Sequence, residues 1–292
     1  MVEAAALLPA YGGVSGWAAL SWLGGTWFGG VDRHGELMPV PLAVSSGNRR
    51  RPWPGLEVSQ EVVVPHHLMR RDGVRLAVPL WAVGYMMRMA PSDEAAVVAF
   101  DMAAFNDLVS IVELQQFVDT DLVARRGVER VRRVLSLLDE NAWSPMEPIL
   151  QLTWRQQFPD VRVLMNRPVF DSHGRFVGTP DGIDVVAGVY GMYDGGLHLA
   201  GEVRHRDIEK EAAYRRLGLE GATMMAGDLV DRQAFVGRLD DAYARAARKP
   251  ASERAWTIET PSWWRDTTTV EARRALSEYD RSRLLAHRQR AA

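Results

Sequence analysis

Asp181, Asp184, Asp194 and His198 fall within one stretch, Val177–His198 (VGTPDGIDVVAGVYGMYDGGLH), around two apolar strand-like runs and a Gly-Gly turn. Carboxylates gathered at strand ends offer the hard oxygen donors that a divalent cation such as Mg2+ requires. A cation so held can polarise a phosphate and activate water. Glu147, in the first turn of a helix expected from Ser144-Pro145-Met146-Glu147, would add another carboxylate to the set, with His198 as a proton-transfer or orienting group. Where a second metal-holding acid would complete the third strand stands Met192, whose thioether is a poor ligand for a hard cation. No lysine lies on that strand to help activate water; the nearest is Lys210, on the next helix. Taken singly, each residue has a structural reading. Asp184 and Asp194 suit turns, Glu147 suits a helix N-terminus, His198 suits a packing role and Met192 suits a buried strand. Taken together, they form a cluster of acids around Met192.

The basic residues are scattered more widely. Arg49, Arg50 and Arg51 with Trp53 form a loop that can grip phosphates and stack a base. Arg204 and Arg206 lie next to the acid cluster in sequence, and Arg130, Arg132 and Arg133 share one polar helix face. DNA is therefore the expected partner, through local patches only, because the chain carries 35 basic against 37 acidic residues. Lys210 and Lys249 are the only lysines, a bias that suits bidentate phosphate contacts but also follows from a GC-rich coding sequence. There is no cysteine, which excludes disulfides and thiolate zinc sites and fits a cytoplasmic protein. Ala4–Val31 is free of charge, but Pro9 and the pairs Gly12-Gly13, Gly24-Gly25 and Gly29-Gly30 break it, so no membrane association is expected. A protein partner or a homo-oligomer stays open.

The elements that must position these residues follow from turn chemistry and hydrophobic period. In the first half a short helix over residues 15–23 is expected, capped by Ser15, then strands at Leu37–Val44, Leu56–Val64 and Val74–Val78. The prolines of the first of these strands place it at a sheet edge. Pro79 opens a helix to Met89. Ser92 caps the next helix, and Ser110 with Glu113 forms a capping box for Ile111–Val118. Val128–Leu138 is again helical. The second half reads as a helix at 144–158, a strand at Val161–Phe170, a turn at Asp171–Gly174, a strand at Arg175–Asp184 and a strand at Val189–Asp194. A charged helix at Val203–Leu217, a strand at Gly221–Ala226 and a long helix capped by Asp228 complete it. The chain is thus expected to be α/β (mixed α+β), with domains at 1–140 and 141–248 and a Trp-containing segment and helix at 249–292.

The order α-β-β-β-α-β resembles the core of the PD-(D/E)XK nuclease superfamily. Ser144-Pro145-Met146-Glu147, Gly178-Thr179-Pro180-Asp181, Tyr193-Asp194-Gly195 with His198, and Arg206-Asp207 resemble Vsr-like (very-short-patch-repair) endonuclease domains. The resemblance covers roughly residues 144–245. It implies Glu147, Asp181 and Asp194 as the metal acids for Mg2+-dependent phosphodiester hydrolysis, with Met192 at the position of the family's Glu and the active site weakened or lost. Tyr11–Leu20, Gly73–Pro79 and Ala99–Leu114 resemble, more loosely, the α/β region of AbiEi-type antitoxins and transcriptional regulators. That resemblance implies a non-catalytic regulator or antitoxin as the alternative. A winged helix would be expected ahead of such a region, and the sequence given starts inside it, so promoter recognition by this chain alone is not expected.

Overall fold

Pro, Gly and short polar turns cut the chain into brief elements, and tertiary pairing gathers these into two mixed sheets and one antiparallel sheet, flanked by helices. The computed structural model describes residues 2–9, 11–32, 35–45, 53–195 and 201–291; the side chains of residues 2, 201–207 and 289–291 fall outside that description. The chain divides into two compact units, Met1–Glu140 with Arg273–Ala292, and Asn141–Ala272. Among the described residues no helix is long and apolar enough to cross a membrane.

The first unit contains, in chain order, α1 (Val2–Ala6), β1 (Gly13–Val14), α2 (Gly16–Trp22), β2 (Val40–Ala43), β3 (Leu56–Ser59), β4 (Leu68–Arg71) and β5 (Val74–Ala77). Its sheet runs β3-β2-β1-β5-β4. Asp72 and Gly73 both take positive φ, as the tight turn of the β4–β5 hairpin requires. Pro39 and Pro41 do not confine β2 to an edge: it lies between β3 and β1. Val40 N and Val44 N donate to Gly55 O and Ser59 O on the β3 side, so alternation turns Pro41 toward β1. There only its carbonyl is used, accepting from Ser15 N, and the missing N–H leaves no gap in the ladder.

The helices α3 (Pro79–Met89), α4 (Asp93–Phe105), α5 (Ile111–Thr120) and α6 (Val128–Val134) follow. Ser92 caps α4, and Ser110 and Glu113 close the expected reciprocal box on α5. Ser15 makes no such bond to α2. Nearly every face of α3 is buried, through Trp81, Ala82, Val83, Tyr85 and Met87. Even Arg88 is enclosed, held in a two-pronged bond to Glu61 at 2.6 and 2.7 Å.

The second unit opens with α7 (Met146–Gln157) and continues through β6 (Leu164–Met165), β7 (Val169–Asp171), β8 (Phe176–Gly178), β9 (Gly182–Asp184) and β10 (Val189–Asp194). Then come α8 (Gly201–Arg216), β11 (Glu220–Met225), α9 (Gln233–Ala246) and β12 (Trp256–Thr257). The two long strands expected at 161–170 and 175–184 each break in two. Asn166 takes a φ of 48°, which ends β6, and Pro180 parts β8 from β9. The inner halves, β6 and β9, join the sheet β11-β10-β9-β6; the outer halves, β7 and β8, form a separate hairpin extended by β12. The four-stranded sheet therefore has the order α-β-β-β-α-β, antiparallel except for the parallel pair β10–β11 that α8 connects. Asp228 does not cap the long helix, which starts only at Gln233. It caps a 3-10 turn instead, accepting from Met225 N at 2.6 Å.

The two faces of this sheet are packed differently. Leu150 and Trp154 of α7 lie against one face together with Phe235, Leu239 and Ala242 of α9. Gly191 faces Gly182 across the β9–β10 pair, and a Cβ at Gly191 would sit 2.8 Å from the Trp154 ring. Those two glycines allow the close seating of α7. On the other face Ile183, Tyr190 and Leu219 pack around Tyr214 of α8.

The chain ends with α10 (Val270–Arg274), α11 (Glu278–Leu284) and α12 (Ala286–Ala291). Arg273 is fully buried in the first unit, where it donates to Asp107 Oδ1, to Ala104 O at 2.7 Å and to Glu140 O at 3.0 Å.

Candidate functional site

Glu147 stands in the first turn of α7 and is buried. Its Oε2 accepts from Trp143 N at 2.7 Å and from the side-chain amide of Asn166. Burial, then the negative charge of Asp181, pushes its carboxyl up to about 8, so at neutral pH it is held mainly as the acid. Around it lies a web of asparagines. Asn141 donates to Met165 O and Asn166 O, both at 3.0 Å, and Asn166 donates back to Asn141 O at 2.8 Å.

The sequence reading missed both asparagines. Asn166 stood within an expected strand, although the Asn-Arg-Pro run at 166–168 is a turn signal that could have located the break.

Asp181 immediately precedes β9. Its carbonyl accepts from Asn166 N at 3.1 Å, and its Oδ2 accepts from Tyr193 N at 2.6 Å. The register Val189↔Asp184, Tyr190↔Ile183, Gly191↔Gly182 ends one residue short of both Met192 and Asp181, whose carboxylate turns to the backbone of Tyr193. Met192 packs there against the cluster of Val169, Ile183, Tyr190 and Tyr214. Met192 is half-buried there.

Asp194 lies two residues along the same strand, paired in register with Met225 of β11. Asp184 is buried and structural: its Oδ1 accepts from Val186 N and Ala187 N, and its Oδ2 from the Tyr243 hydroxyl at 2.9 Å. That hydroxyl in turn accepts from Trp154 Nε1, which ties α9 to α7.

These donors do not fit a hard divalent cation. Glu147 Oε2 is taken by Trp143 N and Asn166, Asp181 spends one oxygen on a backbone amide, and Met192 offers only sulfur. Among the described residues, one group of three His, Asp or Glu side chains brings its ligand atoms within 4.8 Å of one another. It is His66, His67 and Asp121 in the other unit, not Glu147, Asp181 and Asp194.

Of the other expected site residues, His198 and Arg49, Arg50 and Arg51 lie outside the described residues, as do the side chains of Arg204 and Arg206, whose backbone belongs to α8. Trp53 is described and exposed. The helix face of Arg130, Arg132 and Arg133 is already engaged. Arg130 and Arg133 both bond Asp93, which holds that carboxyl below its ordinary range, and Arg132 bonds Glu129. Lys210 runs its aliphatic stem beside Gly178 of β8, while Lys249 pairs with Glu220 at 2.6 Å. Arg215 and Arg216, at the C-terminal end of α8, are exposed.

Comparison with protein-family models, with curated proteins and with solved structures finds no match for this chain.

Proposed function

We propose that this protein binds DNA, that its α-β-β-β-α-β unit is of nuclease type with a silent catalytic site, and that it acts as a regulator or antitoxin rather than as an endonuclease. One observation carries the reading: Met192, two residues before Asp194 on β10, packs against an apolar cluster where the family resemblance expects a Glu. A metal-dependent phosphodiesterase needs charge at that point to hold its cation. A protein that only grips the backbone needs none there.

The fold order and the Vsr-like motifs support descent from a nuclease. The thioether of Met192, packed against an apolar cluster, supports loss of the chemistry. The arginines at 49–51, with Arg204 and Arg206, supply the phosphate contacts in this reading.

The test uses supercoiled plasmid with Mg2+ or Mn2+, together with a fluorescent duplex titrated at low and moderate salt. Expected are salt-sensitive binding without nicking by the natural protein, and weaker binding with a shallower salt dependence after replacing Arg49, Arg50 and Arg51 by alanine. Metal-dependent nicking gained on Met192→Glu would support the inherited site. Nicking by the natural sequence would overturn the silent-site reading, and no binding at low salt would overturn the DNA reading.

A further inference from the structure

His66 and His67 close the short 3-10 turn Pro65–His67 just ahead of β4, and Asp121 is the C-cap of α5. The fold brings their side chains together although more than fifty residues of chain separate them. His67 Nε2 lies 2.8 Å from Asp121 Oδ1, and His66 Nε2 lies 3.8 Å from the same oxygen. All three ligand atoms lie within 4.8 Å of one another.

From this geometry we infer that His66, His67 and Asp121 form a binding site for a borderline first-row divalent ion, with Zn2+ the best match. Two imidazoles and one carboxylate disfavour Mg2+ and Ca2+, which take all-oxygen shells, and favour the zinc class. Zinc bonds of about 2.0–2.1 Å place ligand atoms roughly 3.3 Å apart around a tetrahedron. The two observed edges, 2.8 and 3.8 Å, bracket that separation. Loading needs only that the ion replace the proton shared between His67 and Asp121 and that His66 swing inward.

The side chains are prepared unequally for this. His67 is buried and its ring is clamped by Trp81, at 5.1 Å between centroids, and by Phe117, edge-on at 5.3 Å. Its backbone is fixed at both ends, His67 N donating to Val64 O and His67 O accepting from Val78 N, each at 2.9 Å. Thr120 Oγ1 donates to Asp121 Oδ2 at 2.6 Å, which orients the carboxylate and leaves Oδ1 turned to the imidazoles. His66 is the adjustable member, its side chain 69% exposed. Arg125 has its guanidinium over the Trp81 ring and bonded to Val62 O. Three protein ligands leave the fourth position for water or for an exogenous carboxylate or phosphate, at a place open to solvent. This site belongs to the first unit and does not depend on the DNA reading.

The test is calorimetric titration of the full-length, tag-free chain with Zn2+, repeated with Co2+ while the visible absorption of the bound ion is recorded. The natural protein is expected to take up one ion per chain, with cobalt bands of nitrogen–oxygen coordination. His66→Ala, at an exposed position that the fold tolerates, and Asp121→Asn, which keeps the side-chain shape, should each weaken uptake by at least about tenfold with unchanged circular dichroism. Absence of saturable uptake would show that His67 and Asp121 are a structural pair only and overturn the proposal. Uptake of equal affinity in both variants would place the ion on other histidines and overturn it equally.

Discussion

Glu147 couples the sheet's acid cluster to pH. Its carboxyl is raised from an ordinary value of 4.5 to about 8 by burial and by the charge of Asp181. The sign follows from proton counting. Between those values the native state holds the proton and the unfolded chain has released it, so stability is full below about 4.5 and is lost as pH rises toward 8. The slope reaches at most about 1.4 kcal/mol per pH unit. Glu147→Gln keeps an acceptor for Trp143 N and Asn166 while removing the titration. Urea unfolding of the variant is therefore expected to show a flatter pH profile over this range and a higher midpoint than the natural protein at pH 8.5. An unchanged slope would mean that another group carries the dependence. Glu147 was recognisable in the sequence from its place after Ser-Pro in a helix start. Its protonation was not, because that depends on Asn141, Asn166 and Asp181 arriving around it.

The seating of α7 on the four-stranded sheet rests on a pair of glycines rather than on a motif. A methyl at Gly191 would press on Trp154 at 2.8 Å, and the ring cannot retreat because its Nε1 is bonded to Tyr243. Gly191→Ala is expected to cost about 1–3 kcal/mol in chemical denaturation. Gly237, within α9, has open space around its Cβ position, and Gly237→Ala should stabilise by about 0.5–1 kcal/mol. Equal effects at the two sites would refute this account of the packing. Element ends set by near neighbours were legible: Ser92, and Ser110 with Glu113, act where their spacing placed them. The interior place of β2 was not, because Pro41 is tolerated only through the direction its backbone faces among strands distant in sequence.

At the scale of the molecule, the chain returns at its end to the unit where it began, and Arg273 is the anchor of that return. The guanidinium is fully buried against Asp107, whose other oxygen accepts from Arg281 at 2.6 Å. Removing one member of such a pair leaves a buried charge only partly compensated, at a cost of about 3 kcal/mol or more. Arg273→Ala should therefore lower hydrogen-exchange protection across α4 and α5 while β10 and β11 keep theirs. A uniform loss over both units would show that they do not open independently.

The sequence by itself determined the caps at Ser92 and Ser110, the turn at Asp171–Gly174, the mixed α/β class and the order α-β-β-β-α-β, because each depends on residues a few positions apart. Tertiary structure alone decided that two expected strands divide between two sheets, and that Met192 packs against an apolar cluster. It also decided that Glu147 is enclosed as an acid and that His66 and His67 meet Asp121. Those outcomes depend on burial and on contacts between distant parts of the chain, which no local spacing encodes.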